Sequence, residues 1–320
     1  MHGRQGDLGR RIRGLVWAAP VIAVWQSGCG VMSGGSCDGF HSTPFEQRFP
    51  FQAGDAGFPD AGVPTSPEAC VTYCNGTAGP VDSCRVETAD GGLVVVCQSH
   101  TMCTGRRPEG FDLPSPDWSV PLLGRHFARM AAAEAASIIA FEHIAEELRE
   151  HGMPEELAAR ALRAATEEGR HFRAAARLAA RFGAPVETGT VTPRRPRSLF
   201  DLARENAREG LVRETIGAAF GWWQAEHAGE ASVRRAMQRI ARDETSHAEL
   251  SWDLDRAARR RLTRSERREI DQATRRALHD TERELEAPVE PELVSRAGVP
   301  ARDVAAALFA TARAELYASG

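Results

Sequence analysis

Two short patterns in the second half of the chain have the residue types and the spacing to bind metal ions. Each is Glu-x-x-His, with Glu168 and His171 in the first and Glu244 and His247 in the second. This spacing puts both side chains on one face of an α-helix, and carboxylates and imidazoles bind divalent transition metals. Composition alone would give about one such pattern. The chain has two, each in the middle of an otherwise apolar helical stripe.

Two further glutamates are predicted to lie beside these pairs. Glu134 interrupts an apolar stripe in the first long helix, and Glu214 lies on a face of small residues in the third. Glu209 lies about 140° away around that helix axis. Residues at one height in an antiparallel helix pair are equally far from the turn, and the midpoint of Glu214 and Glu244 falls at Gly229. We therefore expect Glu214 to point inward, with Glu209 as the alternative.

The predicted layer contains four carboxylates and two imidazoles. Four buried carboxylates cannot all stay ionised, because each buried charge costs several kcal/mol. Two divalent metal ions would balance them, and two neutral imidazoles would complete the ligand shells. The alternative is a bundle in which arginines pair these glutamates at the surface. We expect a dinuclear metal centre at Glu134, Glu168, His171, Glu214, Glu244 and His247.

The elements that position these residues are helices. From residue 119 the apolar residues recur with a helical period, and glycines mark the ends of the first three helices at Gly152, Gly183 and Gly229. A crossover at 184–197 separates the second helix from a third predicted at 198–229. The fold class is therefore mainly α, with a four-helix bundle at 118–262.

Two additional helices are expected at 263–320, packing on the bundle. Thr263 and Glu266 form a capping box for the fifth helix. Residues 301–318 are predicted to form the sixth, since its apolar residues share one side.

The N-terminus has the pattern of a bacterial export signal at 1–28, with arginines, a short apolar stretch and then small residues. The apolar stretch is too short to stay in a bilayer as a spanning helix. Cys29 follows Ser27-Gly28, where a lipoprotein signal places the acylated cysteine. We expect a chain exported to the cell envelope and attached to a membrane by a lipid on Cys29. The alternative is ordinary export with cleavage nearby.

A small Cys-rich module is predicted at 29–117, with a strand at 92–97. It is rich in Gly, Pro, Asp and Ser, and no cysteine occurs after Cys103. An exported chain can form disulfides, and the absence of any C-x-x-C pair argues against a metal knuckle. We expect disulfides, with the pairing open, among Cys37, Cys70, Cys74, Cys84, Cys97 and Cys103.

Composition limits the classes of function. The chain has 320 residues, 42% of them hydrophobic, which is enough for two domains with a proper core. Its 40 basic residues are all Arg and face 44 acidic ones, giving a formal net charge of −4. This balance gives no attraction to nucleic acid, so we expect no nucleic-acid partner.

Residues 119–260 resemble the ferritin-like di-iron carboxylate superfamily, which includes rubrerythrins, bacterioferritins and the small subunits of ribonucleotide reductase. The layout of signal, Cys-rich segment and bundle is similar to that of predicted bacterial envelope proteins of ferritin-like type. Four segments carry the resemblance: Glu134-Ala-Ala-Ser, Glu168-Gly-Arg-His171, Glu209-Gly-Leu-Val-Arg-Glu214 and Asp-Glu244-Thr-Ser-His247.

The resemblance implies a role for each residue of the layer. Two carboxylates would bridge the metals, Glu168 and Glu244. Two would be terminal ligands, Glu134 and Glu214. Each imidazole would bind one metal, His171 and His247.

The resemblance also implies a function: an oxidoreductase that reacts with O₂ or H₂O₂ at two iron ions, with manganese or a mixed pair as alternatives. It would use an external electron donor, because the rubredoxin-type paired C-x-x-C is absent. Tyr73 and Tyr317 lie outside the bundle stripes, so we expect no tyrosyl radical. The competing hypotheses are a non-catalytic envelope metal-binding or iron-handling protein and a structural lipoprotein with a vestigial site.

Overall fold

The computed structural model describes residues 5–18, 45–50, 70, 83–89, 92–99, 106, 108, 111–112, 120–191, 196–286 and 289–317. These residues are mainly helical, with eight α-helices and five short β-strands among them, which confirms the predicted helical class. The chain divides into two compact units. One comprises Met1–Ile22, Cys103–Glu282 and Val289–Gly320, and the other Ala23–Met102 and Arg283–Pro288.

The second of these units contains a three-stranded antiparallel sheet. Its strands are β1 (Phe45–Pro50), β2 (Ser83–Ala89) and β3 (Gly92–Ser99), in the spatial order β1-β3-β2. Val95 and Val96 of the central strand are buried. The strand predicted at 92–97 is therefore confirmed, because β-branched residues favour a central strand.

Three cysteines belong to the described part of this unit. The register of β2 and β3 makes Cys84 and Cys97 direct α-carbon partners. Cys70 is buried and takes part in a disulfide. The full disulfide arrangement and the lipidation of Cys29 fall on residues or side chains outside the described ones, and both stay predictions.

The helical unit contains a long helical hairpin. Its helices are α2 (Leu122–Glu150) and α3 (Glu155–Arg181), which pack along each other. The turn between them requires Gly152, whose φ of +59° lies in the left-handed region. Gly183, with φ of +81°, follows α3 in the same way. Both helix ends lie where the glycines predict them.

The third predicted helix is interrupted. It consists of α4 (Leu199–Arg208), a π-helical segment (Glu209–Glu214) and α5 (Thr215–His227). Ser198 caps α4 as expected, with its side chain accepting a hydrogen bond from the Asp201 amide at 3.1 Å. The prediction of one regular helix over 198–229 is therefore wrong in its middle, because six residues there follow the wider i→i+5 pattern.

The helix that carries the second Glu-x-x-His pattern is α6 (Ala231–Arg259), which packs along α5. In the crossover, β5 (Thr190–Val191) pairs with β4 (Phe111–Asp112).

The C-terminal region follows the predicted order. A capping box between Thr263 and Glu266 starts α7 (Arg264–Glu284), with the Thr263 amide donating to Oε2 of Glu266 at 2.7 Å. A short π turn (Leu293–Ala297), which the sequence pattern did not predict, precedes α8 (Arg302–Leu316).

Two apolar parts of the core lie along the long helices of the helical unit. One includes Phe141, Leu157 and Leu254, and the other includes Phe127 and Met237. Glu134, Glu168 and Glu244 lie along the chain between members of the two parts on their respective helices. A polar layer therefore separates two well-packed apolar regions.

The first helix, α1 (Gln5–Ala18), belongs to the helical unit and contacts α5, α6 and α8. Ile12 and Leu15 are fully buried there, and the Arg13 guanidinium lies 4.4 Å from the ring centroid of Trp222. In the full chain, the basic part of the predicted export signal is thus a packed helix, and its removal on export stays a prediction. None of the described helices is long and apolar enough to span a membrane.

Candidate metal centre

The helical unit brings the six predicted residues together in its interior. Each of them is at most 7% exposed. Their ligand atoms form two groups, each with atoms within 4.8 Å of one another. One group could hold an ion with Glu134, Glu168, His171 and Glu244. The other could do so with Glu214, Glu244 and His247.

The first histidine faces the cluster through Nδ1. In His171 this atom lies 3.2 Å from Oε2 of Glu168, 3.3 Å from Oε1 of Glu244 and 3.9 Å from Oε2 of Glu134. Two of these carboxylates come from other helices, α2 and α6. The imidazole is therefore a meeting point of three helices.

The second histidine is arranged in the same way. Nδ1 of His247 lies 3.3 Å from Oε1 of Glu168, 3.7 Å from Oε2 of Glu244 and 3.9 Å from Oε2 of Glu214. Glu168 and Glu244 thus present one oxygen to each histidine. Glu214, like Glu134 on the other side, approaches a single histidine.

Five buried atoms of the cluster have no hydrogen-bond partner. They are one oxygen each of Glu134 and Glu168, both oxygens of Glu214, and Nδ1 of His247. Leaving a buried polar atom unpaired costs about 1–3 kcal/mol. All of these atoms can donate an electron pair to a cation, so the cluster has the donor set of a metal site.

The charges within the cluster are strongly coupled. Burial, followed by repulsion from Glu168 and Glu244 respectively, raises the pKa of Glu134 and Glu214 well above the usual range. Burial opposes ionisation of Glu168 and Glu244 as well, with repulsion from Glu244 added for Glu168, but the two adjacent histidines outweigh these effects and lower the pKa of both. The cluster therefore favours the protonated form of Glu134 and Glu214 and the ionised form of Glu168 and Glu244.

Two acidic residues that the sequence analysis did not single out hold the histidines from outside. Nε2 of His171 donates to Oδ2 of Asp243 at 3.1 Å, and Nε2 of His247 donates to Oε2 of Glu167 at 3.0 Å. Each acid directly precedes the glutamate of the other motif. Such carboxylate–imidazole pairs fix the orientation of the ring, and here Nδ1 faces the cluster. The signal was present in the sequence as an acidic residue before each Glu-x-x-His.

Glu209, the alternative on the third helix, stays outside the cluster. It lies at the start of the π segment, and its carboxylate approaches Nε of Arg213 at 3.8 Å. The surface alternative, in which arginines pair the six residues, also fails for the described part of the chain. The ion pairs found there for Glu134, Glu168 and Glu214 are with histidines, in the interior.

A tyrosine approaches the same π segment from the C-terminus. The hydroxyl of Tyr317 donates to the carbonyl of Leu211, and its ring centroid lies 5.6 Å from that of Trp252. Trp252 in turn donates to Thr215, the residue after Glu214. The sequence analysis placed Tyr317 outside the bundle stripes, and the structure agrees, since residue 317 directly follows the last helix. Its contact with the π segment was not predicted, because a residue after the last helix carries no periodic signal.

No family model matches the chain, and no similar curated protein or solved structure was found for it. The function of the cluster therefore has to follow from its own geometry and chemistry.

Proposed function

We propose that the chain is an exported ferritin-like protein whose four-helix bundle holds two divalent metal ions, in the first place iron, and that it reacts with O₂ or H₂O₂ as an oxidoreductase. In this proposal α2, α3, the helix containing the π segment, and α6 are the four helices of the bundle. The observation that carries the proposal is the position of Glu168 and Glu244, each of which presents one oxygen to each histidine.

This arrangement assigns a role to every residue of the cluster. Two carboxylates would bridge the two ions, Glu168 and Glu244. Glu134 and His171 would complete one ligand shell, and Glu214 and His247 the other. One Glu from each of two helices, with Glu-x-x-His from each of two others, is the ligand set of bundle-core dinuclear sites.

The bound metals would supply two-electron redox chemistry. The chain itself would position the ligands, balance the charge of the ions and exclude water from the site. Asp243 and Glu167 orient the two imidazoles, and Glu134 and Glu214 would hold the cations in their ionised form. The two apolar parts of the core exclude bulk water from both ends of the layer, which strengthens electrostatic interactions inside it.

One cavity of the helical unit lies apart from the six residues of the cluster. Its volume is about 580 Å³, and its lining includes Arg13, Trp222, Thr245 and Glu249. The same six buried residues would serve the second candidate function, an envelope metal-binding or iron-handling protein without turnover.

Metal analysis and Mössbauer spectroscopy on the anaerobically reduced protein from its native host test the first step. We expect two iron ions per chain in a coupled pair. Purified protein without metal would favour a structural lipoprotein with a vestigial site. O₂ or H₂O₂ consumption beyond the first oxidation separates the oxidoreductase from the iron-handling alternative.

A double variant tests the site itself. Glu168→Ala with Glu244→Ala should abolish metal binding and leave a helical protein, because both bridging carboxylates are lost. Unchanged metal stoichiometry would remove the assignment. Glu155→Ala with Glu269→Ala, two exposed glutamates on α3 and α7, is the matched control and should bind metal normally.

Export and lipid anchoring depend on the sequence around residues 1–29. Fractionation of the native host, with mass spectrometry of the mature N-terminus, tests them. We expect a membrane-associated form that begins with an acylated Cys29 and uses an external electron donor.

A further inference from the structure

Arg106 is a fully enclosed arginine within the helical unit. It is 1% exposed, although it lies in the segment before α2. Its Nη2 donates to Oδ1 of Asn206 at 2.6 Å, and its guanidinium lies 5.5 Å from the ring centroid of Phe141. Burying an arginine is costly unless the group is paired and hydrogen-bonded. The contacts that offset this cost therefore indicate what the residue does.

The contacts of Arg106 reach the helical turns next to the cluster. Its carbonyl accepts a hydrogen bond from Ser137, one turn after Glu134, at 2.7 Å. Through Asn206 it is connected to α6, because Nδ2 of Asn206 donates to the carbonyl of Ser251 at 2.9 Å. The hydroxyl of Ser251 then donates to the carbonyl of His247 at 3.0 Å. A short chain of hydrogen bonds therefore connects Arg106 to the turn that carries His247.

The guanidinium also lies directly against the π segment. A Cβ atom at Gly210 would collide with Nη2 of Arg106 and would lie 2.5 Å from Oδ1 of Asn206 and from Oγ of Ser251. Only glycine leaves room for this approach. Gly210 belongs to the six residues whose widened turn ends at Glu214, so the arginine packs on the segment that carries this ligand.

The charge of Arg106 is balanced locally. Its Nε lies 3.8 Å from Oε1 of Glu205, and Glu205 lies 3.5 Å from Arg197. Arg197 pairs in turn with buried Glu147 at 2.8 Å. Charges of opposite sign therefore alternate along this row, and the positive charge of Arg106 also acts on the carboxyl group of Glu214. The planar, hydrogen-bonding shape of Arg106 is what distinguishes it from a lysine, which would supply the same charge.

We propose that Arg106 is a positioning residue of the metal centre, which fixes the π segment carrying Glu214 against the turn of α6 carrying His247. The role rests on the proposed function, since it concerns the ion held by Glu214, Glu244 and His247. The ion held through Glu134 and His171 does not depend on the π segment.

The test is a titration of the full chain with Co²⁺, followed by visible absorption and by competition with a chelator. The wild type should bind two ions. Arg106→Met should bind the first with unchanged affinity and the second about 10- to 100-fold more weakly, the range found when outer partners of metal ligands are removed. Circular dichroism and thermal unfolding of the metal-free proteins verify that helix content is retained.

Two further variants separate position from charge. Arg106→Lys keeps the charge but lacks the planar fork, so we expect the same selective loss. Gly210→Ala keeps the arginine but removes its space, and it should also weaken the second ion selectively. These two variants also decide the question if Arg106→Met does not fold. Arg160→Met is the matched control, because it breaks a 2.6 Å ion pair with Asp253 between α3 and α6 without contacting the cluster.

The outcomes are distinct. A wild type that does not bind two ions would overturn the proposed function, and the role of Arg106 with it. A wild type with two ions, together with Arg106 and Gly210 variants that bind both equally well, would overturn the role of Arg106 alone. Full recovery by Arg106→Lys would also overturn it, because charge rather than position would then explain the effect.

Discussion

Removing the outer carboxylate from each histidine should weaken metal binding without touching a ligand. Asp243→Asn replaces the charged partner of His171 with a neutral one of the same size, and Glu167→Gln does the same for His247. In both variants the imidazole keeps a possible acceptor but loses a charged one. The change is therefore conservative in shape and specific in electrostatics.

The expected size follows from the contacts. Each histidine has one such bond, at 3.1 Å and 3.0 Å, and loss of an outer partner costs about 10- to 100-fold in metal affinity. Tenfold corresponds to about 1.4 kcal/mol. Both acids also approach Arg170 at 3.3 Å, which screens part of their charge. We therefore expect the lower end, about tenfold, for one ion in each single variant and for both ions in the double variant.

Isothermal titration calorimetry with Co²⁺ and a competing chelator measures the two affinities. Asp253→Asn is the control, because Asp253 lies on the same helix and pairs with Arg160 rather than with a histidine. If Asp243→Asn and Glu167→Gln bind both ions as tightly as this control, the outer carboxylates do not orient the ligands, and the reading of the histidine geometry is wrong.

Three further changes test the site and its support. Glu214→Gln should weaken the second ion by at least about tenfold, whereas Glu209→Gln should leave both affinities unchanged in the same Co²⁺ titration, since only Glu214 reaches the cluster. Burial, followed by repulsion from Arg129, lowers the pKa of His126 to about 4 from 6.5. As the pH falls, the imidazole is therefore protonated in the unfolded chain before it is protonated in the folded one. The free energy of unfolding should decrease between pH 6.5 and pH 4 by at most about 3 kcal/mol. Urea unfolding at pH 4.5 and 7 should show a smaller difference for His126→Gln than for the wild type, and an equal difference would contradict this. Phe141→Ala should cost about 3–5 kcal/mol in the same assay because its side chain is fully buried; a cost below about 1 kcal/mol would mean that this part of the core is loosely packed.

The sequence predicted the structure correctly where helical periodicity decides which side of a helix faces inward. Glu134, Glu168 and Glu244 interrupt apolar stripes, and the structure buries all three. Glycines and caps located the helix ends for the same reason, since Gly152 must adopt a positive φ. The metal-binding role of these residues stays a prediction, because a periodic pattern gives position and not occupancy.

Long-range and irregular features were not accessible in this way. Arg106 bonds to Asn206, 100 residues later in the chain, and no periodic pattern connects the two. Asp243 and Glu167 were missed because the residue before a ligand lies about 100° away from it on a regular helix. The side chains of Asp243 and Glu167 therefore do not share the helix face of the glutamate that follows them. Each reaches a histidine on the neighbouring helix instead.

The π segment at Glu209–Glu214 has a consequence for how the chain can change in length. A π-helical turn accommodates one residue more than an α-helix over the same length, so the helices on either side of it keep the phase of a continuous helix. Deleting one residue there would let α4 and α5 merge into a single regular helix with little change in where the residues outside the segment point. A deletion elsewhere in α4 or α5 would instead rotate everything after it by about 100° relative to what precedes it. Related chains should therefore differ by one residue within the segment more readily than elsewhere in these two helices.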